Sequence, residues 1–125
     1  MRLRIISGDY TVCKPLKVEF PAKGVVFFAR TDDELSLVCQ TRFTPESSAR
    51  EDGWNMLRIE EGALDFSLTG VLAGLTDVLA KAKIGIFAVS TFNTDYLLVK
   101  AAKLEAAVDA LESAGYTFVQ GDFDD

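Results

Sequence analysis

One stretch constrains the fold more than any other: from Leu64 to Lys100, a helical pattern leads into two apolar runs around a polar turn. Apolar residues recur at three- and four-residue spacing from Phe66 to Lys81, which predicts an amphipathic helix. Ile84 to Ser90 then has the composition of a strand, Thr91 to Thr94 are mostly polar, and Tyr96 to Val99 form a second strand-like run. This order predicts a helix followed by a β-hairpin, with the start of the helix and the hairpin turn as two candidate ligand walls.

The chain after Trp54 completes a six-element order around that stretch. Asn55 to Glu60 predicts a strand before the helix, Lys103 to Ala114 a second helix, and Thr117 to Gln120 a last strand. Gly115 stands where a left-handed helix C-cap is expected. The order strand, helix, strand, strand, helix, strand predicts an α+β, ferredoxin-like βαββαβ domain, in which two helices cover one face of an antiparallel sheet.

The first half of the chain predicts a smaller, β-rich module. Four runs there have the composition of strands: Leu3 to Ile6, Tyr10 to Cys13, Val25 to Arg30 and Leu35 to Thr41. The residue types at Ser7–Asp9 favour a turn, so a hairpin or bulged pair is expected there, and an acidic turn is predicted at Thr31–Glu34. Polar residues with a proline and a glycine predict a linker or a short helical turn at Thr44–Gly53, so the first module is expected to cover residues 1–53.

The two halves align as an internal repeat. With Gly24 placed on Gly85, an offset of 61 (85 minus 24), the two hairpin sequences overlap and Glu34 falls on Asp95. We therefore predict that residues 54–125 form a complete module and that the first module is a truncated copy, with its first helix shortened to a loop.

Charge and composition exclude several classes of partner. The net charge of −6 and the pI near 4.6 disfavour a nucleic-acid partner, because no basic cluster relieves the repulsion from phosphates. No apolar run approaches the 18 or so residues of a membrane span. The N-terminal residues lack the long apolar region of a signal peptide, so we expect a cytoplasmic protein.

The residue types also argue against catalysis. The chain has no histidine, which removes the commonest general base and metal ligand. No phosphate-binding glycine loop, metal-spaced cluster or nucleophile with a base partner is present, so neither an enzyme, a cofactor nor a metal is predicted. Cys13 and Cys39 both lie in apolar runs, where a free thiol is typically a small buried hydrophobe.

Two segments of the central stretch resemble a known family. DFSLTGVLAGL, which begins at Asp65, and STFNTDYLLV, which begins at Ser90, resemble the ACT domain family and, within it, the subgroup that includes the Castor arginine sensors. The resemblance implies a ferredoxin-like fold, modules that pair side by side, and an amino-acid ligand near the seam between modules. The arginine sensors resemble two fused copies of this two-module layout.

The resemblance also implies the residues of a ligand site. They are Asp65, Ser67, Leu68, Thr69, Gly70 and Val71 at the helix start, and Thr91, Phe92, Asn93 and Asp95 in the turn. Backbone N–H groups at a helix start can hold a carboxylate, and Thr69, Gly70 and Val71 would supply them. Asp95 is expected to accept hydrogen bonds from the ligand ammonium. Leu68 stands where the arginine sensors carry an acidic residue, which argues against arginine as the ligand.

From the residues alone, each position has a structural alternative. Asp65 or Ser67 is typical of a helix N-cap, and Gly70 also allows close backbone packing. Asp95 is typical of a turn residue that hydrogen-bonds its own backbone. Phe92 either covers an aliphatic ligand or packs in an interface between chains.

Together these observations predict a non-enzymatic regulatory protein that binds a free amino acid or similar small ligand at the seam between ACT modules. The alternative is a structural or protein-interaction module with the same fold and no metabolite. A homodimer is expected, because a two-module chain resembles half of the fused sensors and exposed sheet edges favour symmetric pairing. The sequence does not identify a downstream protein partner.

Overall fold

A computed structural model describes residues 1–60 and 70–119. The helices and strands, in chain order, are β1 (Arg2–Pro15), β2 (Phe27–Arg30), β3 (Leu35–Gln40), β4 (Ser47–Ile59), α1 (Val71–Lys81), β5 (Ile86–Ser90), β6 (Asp95–Lys100), α2 (Leu104–Ser113) and β7 (Thr117–Phe118). A short 3-10 helix follows β3 at Thr41–Phe43, and another follows β6 at Ala101–Lys103.

The described residues form two compact units. The larger unit comprises Met1–Ser7 and the described chain from Asn55 onward, and the smaller unit comprises Gly8–Trp54. Strands β1 and β4 each contribute residues to both. Met1–Ser7 belong to the larger unit because the backbone N–H of Glu60 donates to Arg2 O at 2.9 Å and that of Thr117 donates to Met1 O at 3.1 Å. The interpretation of residues 1–53 and 54–125 as two ACT-like modules stays a prediction.

In the larger unit, two helices cover one face of the sheet. Neighbouring strands follow the order β7, β1, β4, β6, β5. β5 and β6 are antiparallel, from Ile86 opposite Val99 to Ser90 opposite Asp95. The buried core residues between helices and sheet are Leu3, Leu57, Ile59, Leu75, Leu79, Ile84, Leu97, Val99, Ala107 and Leu111. The α+β class, the hairpin and the two helices are confirmed, whereas β7 pairs in parallel with β1, at Arg2 opposite Thr117.

The second helix ends as its sequence predicts. Gly115 has a φ of 99° and its N–H donates to Glu112 O at 3.0 Å, while Tyr116 N–H donates to Leu111 O at 3.0 Å. This pair of bonds is a Schellman motif, which requires a left-handed residue at the position of Gly115. Among the described residues, no helix is long and apolar enough to cross a membrane.

The smaller unit is a sheet without an α-helix in residues 8–54. Its strands follow the order β2, β3, β1, β4, and β3 is antiparallel to both of its neighbours. Cys13, Leu37 and Cys39 form a small buried cluster, against which Val26 and Phe28 pack. Both cysteines are free and buried, as their apolar surroundings predicted.

Two local predictions in the first half are wrong. The predicted turn at Ser7–Asp9 lies inside the continuous strand β1, because Gly8, with a φ of 105°, lets the strand bend without ending. The predicted linker at Thr44–Gly53 is mostly the first half of β4, from Ser47. This part of the strand is largely exposed, so its polar composition reflects contact with solvent and not an absence of structure.

The two hairpins correspond to each other at an offset of 60 and not 61. Thr31 N–H donates to Glu34 O at 3.0 Å, and Thr91 N–H donates to Thr94 O at 2.8 Å, so Thr31 corresponds to Thr91 (91 minus 31). Glu34 therefore corresponds to Thr94 and not to Asp95. The shared glycines misled the alignment, and a slip of one residue moves every side chain to the opposite face of a strand.

Candidate functional site

The turn between β5 and β6 is closed by its own threonines. Thr91 Oγ1 donates to Thr94 O at 3.0 Å and accepts from Thr94 N–H at 3.3 Å, in addition to the backbone bond between the same residues. A threonine hydroxyl has one proton to donate, and this one is used within the turn. Thr91 therefore holds the turn in shape and has no donor left for a ligand.

Thr94 ties this turn to the neighbouring strand. Its side chain is buried, and its Oγ1 donates to the backbone oxygen of Ile59 at 3.0 Å, beside the end of β4. β5 also ends here, since Ser90 lies opposite Asp95. Only residues 82–85 separate the end of α1 from the start of β5, which is the end of that strand away from the turn, so α1 ends away from this edge and its start is directed toward it. The helix start and the turn therefore share one edge of the sheet in the larger unit.

The helix start differs from its prediction at Gly70. This glycine has a φ of 83°, precedes α1 at the N-cap position, and accepts a hydrogen bond from Gly74 N–H at 2.9 Å. The predicted helix from Phe66 is therefore wrong at Gly70, because a left-handed residue interrupts a right-handed helix. Val71 is the first helical residue, and its side chain packs against the core of the larger unit.

The predicted site residues fall into three groups. Asp65, Ser67, Leu68 and Thr69 lie outside the described residues. Gly70 and Val71 lie at the start of α1, and Thr91, Phe92, Asn93 and Asp95 lie in or directly after the hairpin turn. The described six therefore occupy the two features that share one sheet edge.

Three side chains of the turn face outward or lie partly exposed. Phe92 is 79% exposed, Asn93 is exposed, and Asp95 is half-buried at the first position of β6. An aromatic ring, an amide and a carboxylate thus follow one another along a turn that its threonines hold in place. This set offers apolar contact, hydrogen bonding in both directions and a negative charge, which suits a small ligand that carries an ammonium group.

An ion cluster at the end of β4 was not foreseen from the sequence. Glu60 accepts from Arg4 Nε at 3.0 Å through one carboxylate oxygen and pairs with Arg58 Nη1 at 3.1 Å through the other. Its backbone oxygen also accepts from Arg2 Nη2 at 3.2 Å. The side chains of Arg4 and Glu60 are 19% and 16% exposed, so the pair is shielded more than most surface ion pairs. The cluster fixes the strand end from which the chain continues toward α1.

Sequence reasoning also missed Thr94, although a usable signal was present. Two threonines three residues apart, Thr91 and Thr94, are typical of a turn closed by a side-chain hydroxyl. The role of Thr94 toward Ile59 depends on strand order and was not visible in the residues. Arg4 gave no signal, because Glu60 is 56 residues away in sequence, whereas Arg58 lies two residues from Glu60 and was not recognised as its partner.

The Cys39 thiol is poorly suited to react. Burial raises the pKa of the Cys39 thiol, and a hydrogen bond with Thr44 Oγ1, at 3.8 Å, lowers the same pKa only in part. A thiol with a raised pKa stays protonated at neutral pH and is a poor nucleophile or metal ligand. Among residues 1–60 and 70–119, no three side chains of metal-binding type come together.

Known families and solved structures with this architecture resemble the chain. Residues 49–113 match the ACT domain family, which is just over half of the chain. A crystal structure of a protein from Agobacterium tumefaciens is 33% identical, with a TM-score of 0.84, and the match covers 99% of this chain and 97% of that one. The similarity to that protein therefore extends over both units.

More distant structures share the fold alone. A Vibrio cholerae protein of unknown function, described as a possible transport protein, is 19% identical with a TM-score of 0.63, over 90% of this chain and 88% of that one. The regulatory subunit of aspartate kinase from Thermus thermophilus, solved in a ligand-free form, is 12% identical with a TM-score of 0.59, over 90% of this chain and 96% of that one.

Proposed function

Because this chain belongs to the ACT domain family, we propose that it is a regulatory protein that binds a free amino acid, or a similar small ligand, and catalyses no reaction. The similarity in fold to a regulatory subunit of aspartate kinase supports a regulatory role. The observation that carries the proposal is the hairpin turn: Thr91 Oγ1 bonds the backbone of Thr94 and Thr94 Oγ1 donates to Ile59 O, while Phe92, Asn93 and Asp95 are left partly or fully exposed.

Each part of an amino acid has a counterpart in this site. The ammonium group pairs with Asp95, the carboxylate binds the N–H groups at the start of α1, and the side chain lies against Phe92. The proposed ligand residues are Asp65, Ser67, Leu68, Thr69, Gly70, Val71, Thr91, Phe92, Asn93 and Asp95. Leu68 stands where the Castor arginine sensors, which the sequence resembles, carry an acidic residue, and this favours a ligand other than arginine.

We also propose that the protein acts as a homodimer in the cytoplasm. In this arrangement a second chain completes the site at the sheet edge that holds the helix start and the turn. Ligand binding and dimerisation would then be linked, because each increases the affinity of the other by the same factor.

A thermal-shift screen against the twenty amino acids tests the ligand proposal. A ligand at about 100 times its dissociation constant adds about 2.7 kcal/mol to the free energy of unfolding, which raises Tm by several degrees. Asp95→Asn removes the charge that binds the ammonium group, and we expect affinity to fall at least about tenfold, since a hydrogen bond to a charged group contributes about 1.5–3 kcal/mol. Asp33→Asn, in the equivalent turn of the smaller unit, is the matched control.

A second candidate function rests on the exposure of Phe92. An aromatic side chain that is 79% exposed at a turn tip is typical of a protein-interaction residue. If no amino acid raises Tm at millimolar concentration, a protein-interaction module without a metabolite becomes the better interpretation.

A further inference from the structure

A short exposed segment of the smaller unit has an unusual surface. Leu16, Val18 and Phe20 are 57%, 56% and 57% exposed, and they are three of the five large hydrophobic residues that are exposed in the described chain. They alternate with Lys17 and Glu19, both also exposed. Isolated exposed apolar side chains are common, but three at alternate positions form a patch that indicates contact with another molecule.

The segment is bounded on both sides by proline and supported at both ends. Pro15 is the last residue of β1, and Pro21 follows Phe20. Leu16 N–H donates to Glu46 O at 3.2 Å, and the Phe20 ring lies 5.5 Å from that of Phe28, which packs on the core of the smaller unit. These contacts fix where the segment begins and ends on the surface.

Between those supports, the backbone is available for pairing. Residues 17–20 lie outside every strand, and within the described parts of the chain their N–H and C=O groups have no backbone partner. The chain bends at residues 16–18, so this segment must straighten when it pairs. Unpaired backbone next to alternating apolar side chains is a template for strand addition.

The sequence of this segment is complementary to itself when reversed. In an antiparallel pair centred on Val18, Lys17 of one copy faces Glu19 of the other, twice, by symmetry. Leu16 faces Phe20, Val18 faces Val18, and Pro15 faces Pro21. Opposite charges and apolar pairs directly across two antiparallel strands are both stabilising, and a twofold axis makes each of these contacts occur twice except the pair of Val18 residues on the axis.

We infer that two copies of this chain associate through residues 16–20, paired antiparallel about Val18, with Lys17 of each copy bound to Glu19 of the other. Like-charged partners would repel at those positions, so the pattern also selects this register over a parallel one. Five residues a side are far fewer than the roughly 20–30 of a stable interface, so association through this segment is weak unless other surfaces contribute. The inference rests on the homodimer of the proposed function but places a contact in the smaller unit rather than at the helix start and hairpin turn, and it does not depend on the ligand.

Charge exchange within the segment tests the pairing. Sedimentation equilibrium of the full chain measures the dimer dissociation constant for the wild type, Lys17→Glu, Glu19→Lys and the double variant that carries both. Each single change turns two attractive pairs into two repulsive ones, and we expect about tenfold weaker association. The double variant exchanges the charges and restores the pairs, so its dissociation constant returns to within about threefold of the wild type. Lys23→Glu, an exposed lysine outside the segment, is the charge-matched control and should change little.

A cysteine at the symmetry axis gives a second readout. Val18→Cys places two thiols across the axis at a separation that suits a disulfide, so mild oxidation should yield a covalent dimer. Cys13 and Cys39 are buried and do not compete. Ala106→Cys, at an exposed position of α2, should not crosslink under the same conditions.

The outcomes separate this inference from the proposed function. If the dimer dissociation constant is the same for the wild type, Lys17→Glu and Glu19→Lys, the pairing is overturned and the homodimer forms through another surface. Failure of the double variant to recover also overturns it. A chain that stays monomeric and does not crosslink through Val18→Cys overturns both the pairing and the homodimer, while the thermal shift with amino acids, measured on the same samples, still decides the ligand proposal.

Discussion

The hairpins β2–β3 and β5–β6 share one frame and differ at their tips. In each, a threonine closes a four-residue turn, and a 3-10 helix follows the second strand at the same position, Thr41–Phe43 in one and Ala101–Lys103 in the other. The tip of the first is Asp32–Asp33 and the tip of the second is Phe92–Asn93. The features that the two hairpins share therefore determine how each hairpin folds, and the exposed residues that differ determine what each can bind.

The hairpins also differ in what covers them. Leu97 and Val99 pack in a core with residues from both α-helices, whereas Leu37 and Cys39, at the equivalent positions, belong to a cluster of three buried residues without an α-helix. A strand pair can therefore keep its register when the helices are lost, provided that a smaller cluster still buries the same face. The exposed segment around Val18 lies in the unit that lacks the helices.

The largest expected effect comes from truncating the equivalent leucines. Leu97→Ala removes a side chain from a core of ten buried residues, and we expect about 3–4 kcal/mol of lost stability in urea unfolding. Leu37→Ala empties part of a smaller cluster that can relax more readily, and about 2–3 kcal/mol is expected. A larger loss for Leu37→Ala would contradict the view that the helix-covered core is the more confined one.

The next prediction concerns the hydrogen bond from Thr94 to Ile59, which only one of the two hairpins has. Thr94→Val leaves the Ile59 carbonyl without its buried donor, and unfolding stability should fall by about 1–3 kcal/mol. Thr94→Ser keeps the hydroxyl and should lose clearly less. Glu34→Gln, at the equivalent and exposed position of the other turn, should stay within about 0.5 kcal/mol of the wild type. No loss for Thr94→Val, or a larger loss for Thr94→Ser than for Thr94→Val, would contradict a stabilising role for this hydrogen bond.

The smallest effect is a pH dependence confined to the smaller unit. Burial raises the folded-state pKa of Cys39, so above about pH 8.5 the unfolded chain loses a proton that the folded chain keeps. The contribution of Cys39 to the free energy of unfolding is complete below that pH and declines as pH rises. Cys39→Val introduces the residue type found at the equivalent Val99, and urea unfolding at pH 8 and pH 10 should show a smaller decline for this variant. An unchanged difference between the two pH values would rule out this thiol as the source.

Local patterns predicted the parts of the fold that depend on neighbours in sequence. The hairpin of β5 and β6, helix α2 and its Gly115 cap follow from periodicity and one glycine, since their hydrogen bonds are short-range. The second half of β4 was predicted from Asn55 onward, but its first half was missed because exposed strand residues have the composition of a linker. The turn predicted at Ser7–Asp9 was wrong for a similar reason, because glycine with polar neighbours occurs both in turns and in bent strands.

The candidate site was predictable only in part, for a related reason. Asp95 and Phe92 were found from a resemblance and lie in the predicted turn. Thr94 and the cluster around Glu60 depend on contacts between strands that are distant in sequence, 35 residues apart for Thr94 and Ile59. The wrong offset of the repeat had the same origin, since only strand pairing distinguishes 60 from 61.

Amide chemical shifts of the uniformly labelled chain, recorded with pools of the twenty amino acids, compare the two turns directly. The account predicts that one amino acid at millimolar concentration shifts signals of Thr91–Asp95 and of Gly70–Val71, while Thr31–Leu35, the same frame with a different tip, stays unchanged. Both turns lie in one sample, so each serves as the control for the other. Signals that do not move with any amino acid, or that move only at Thr31–Leu35, would contradict the proposed ligand site.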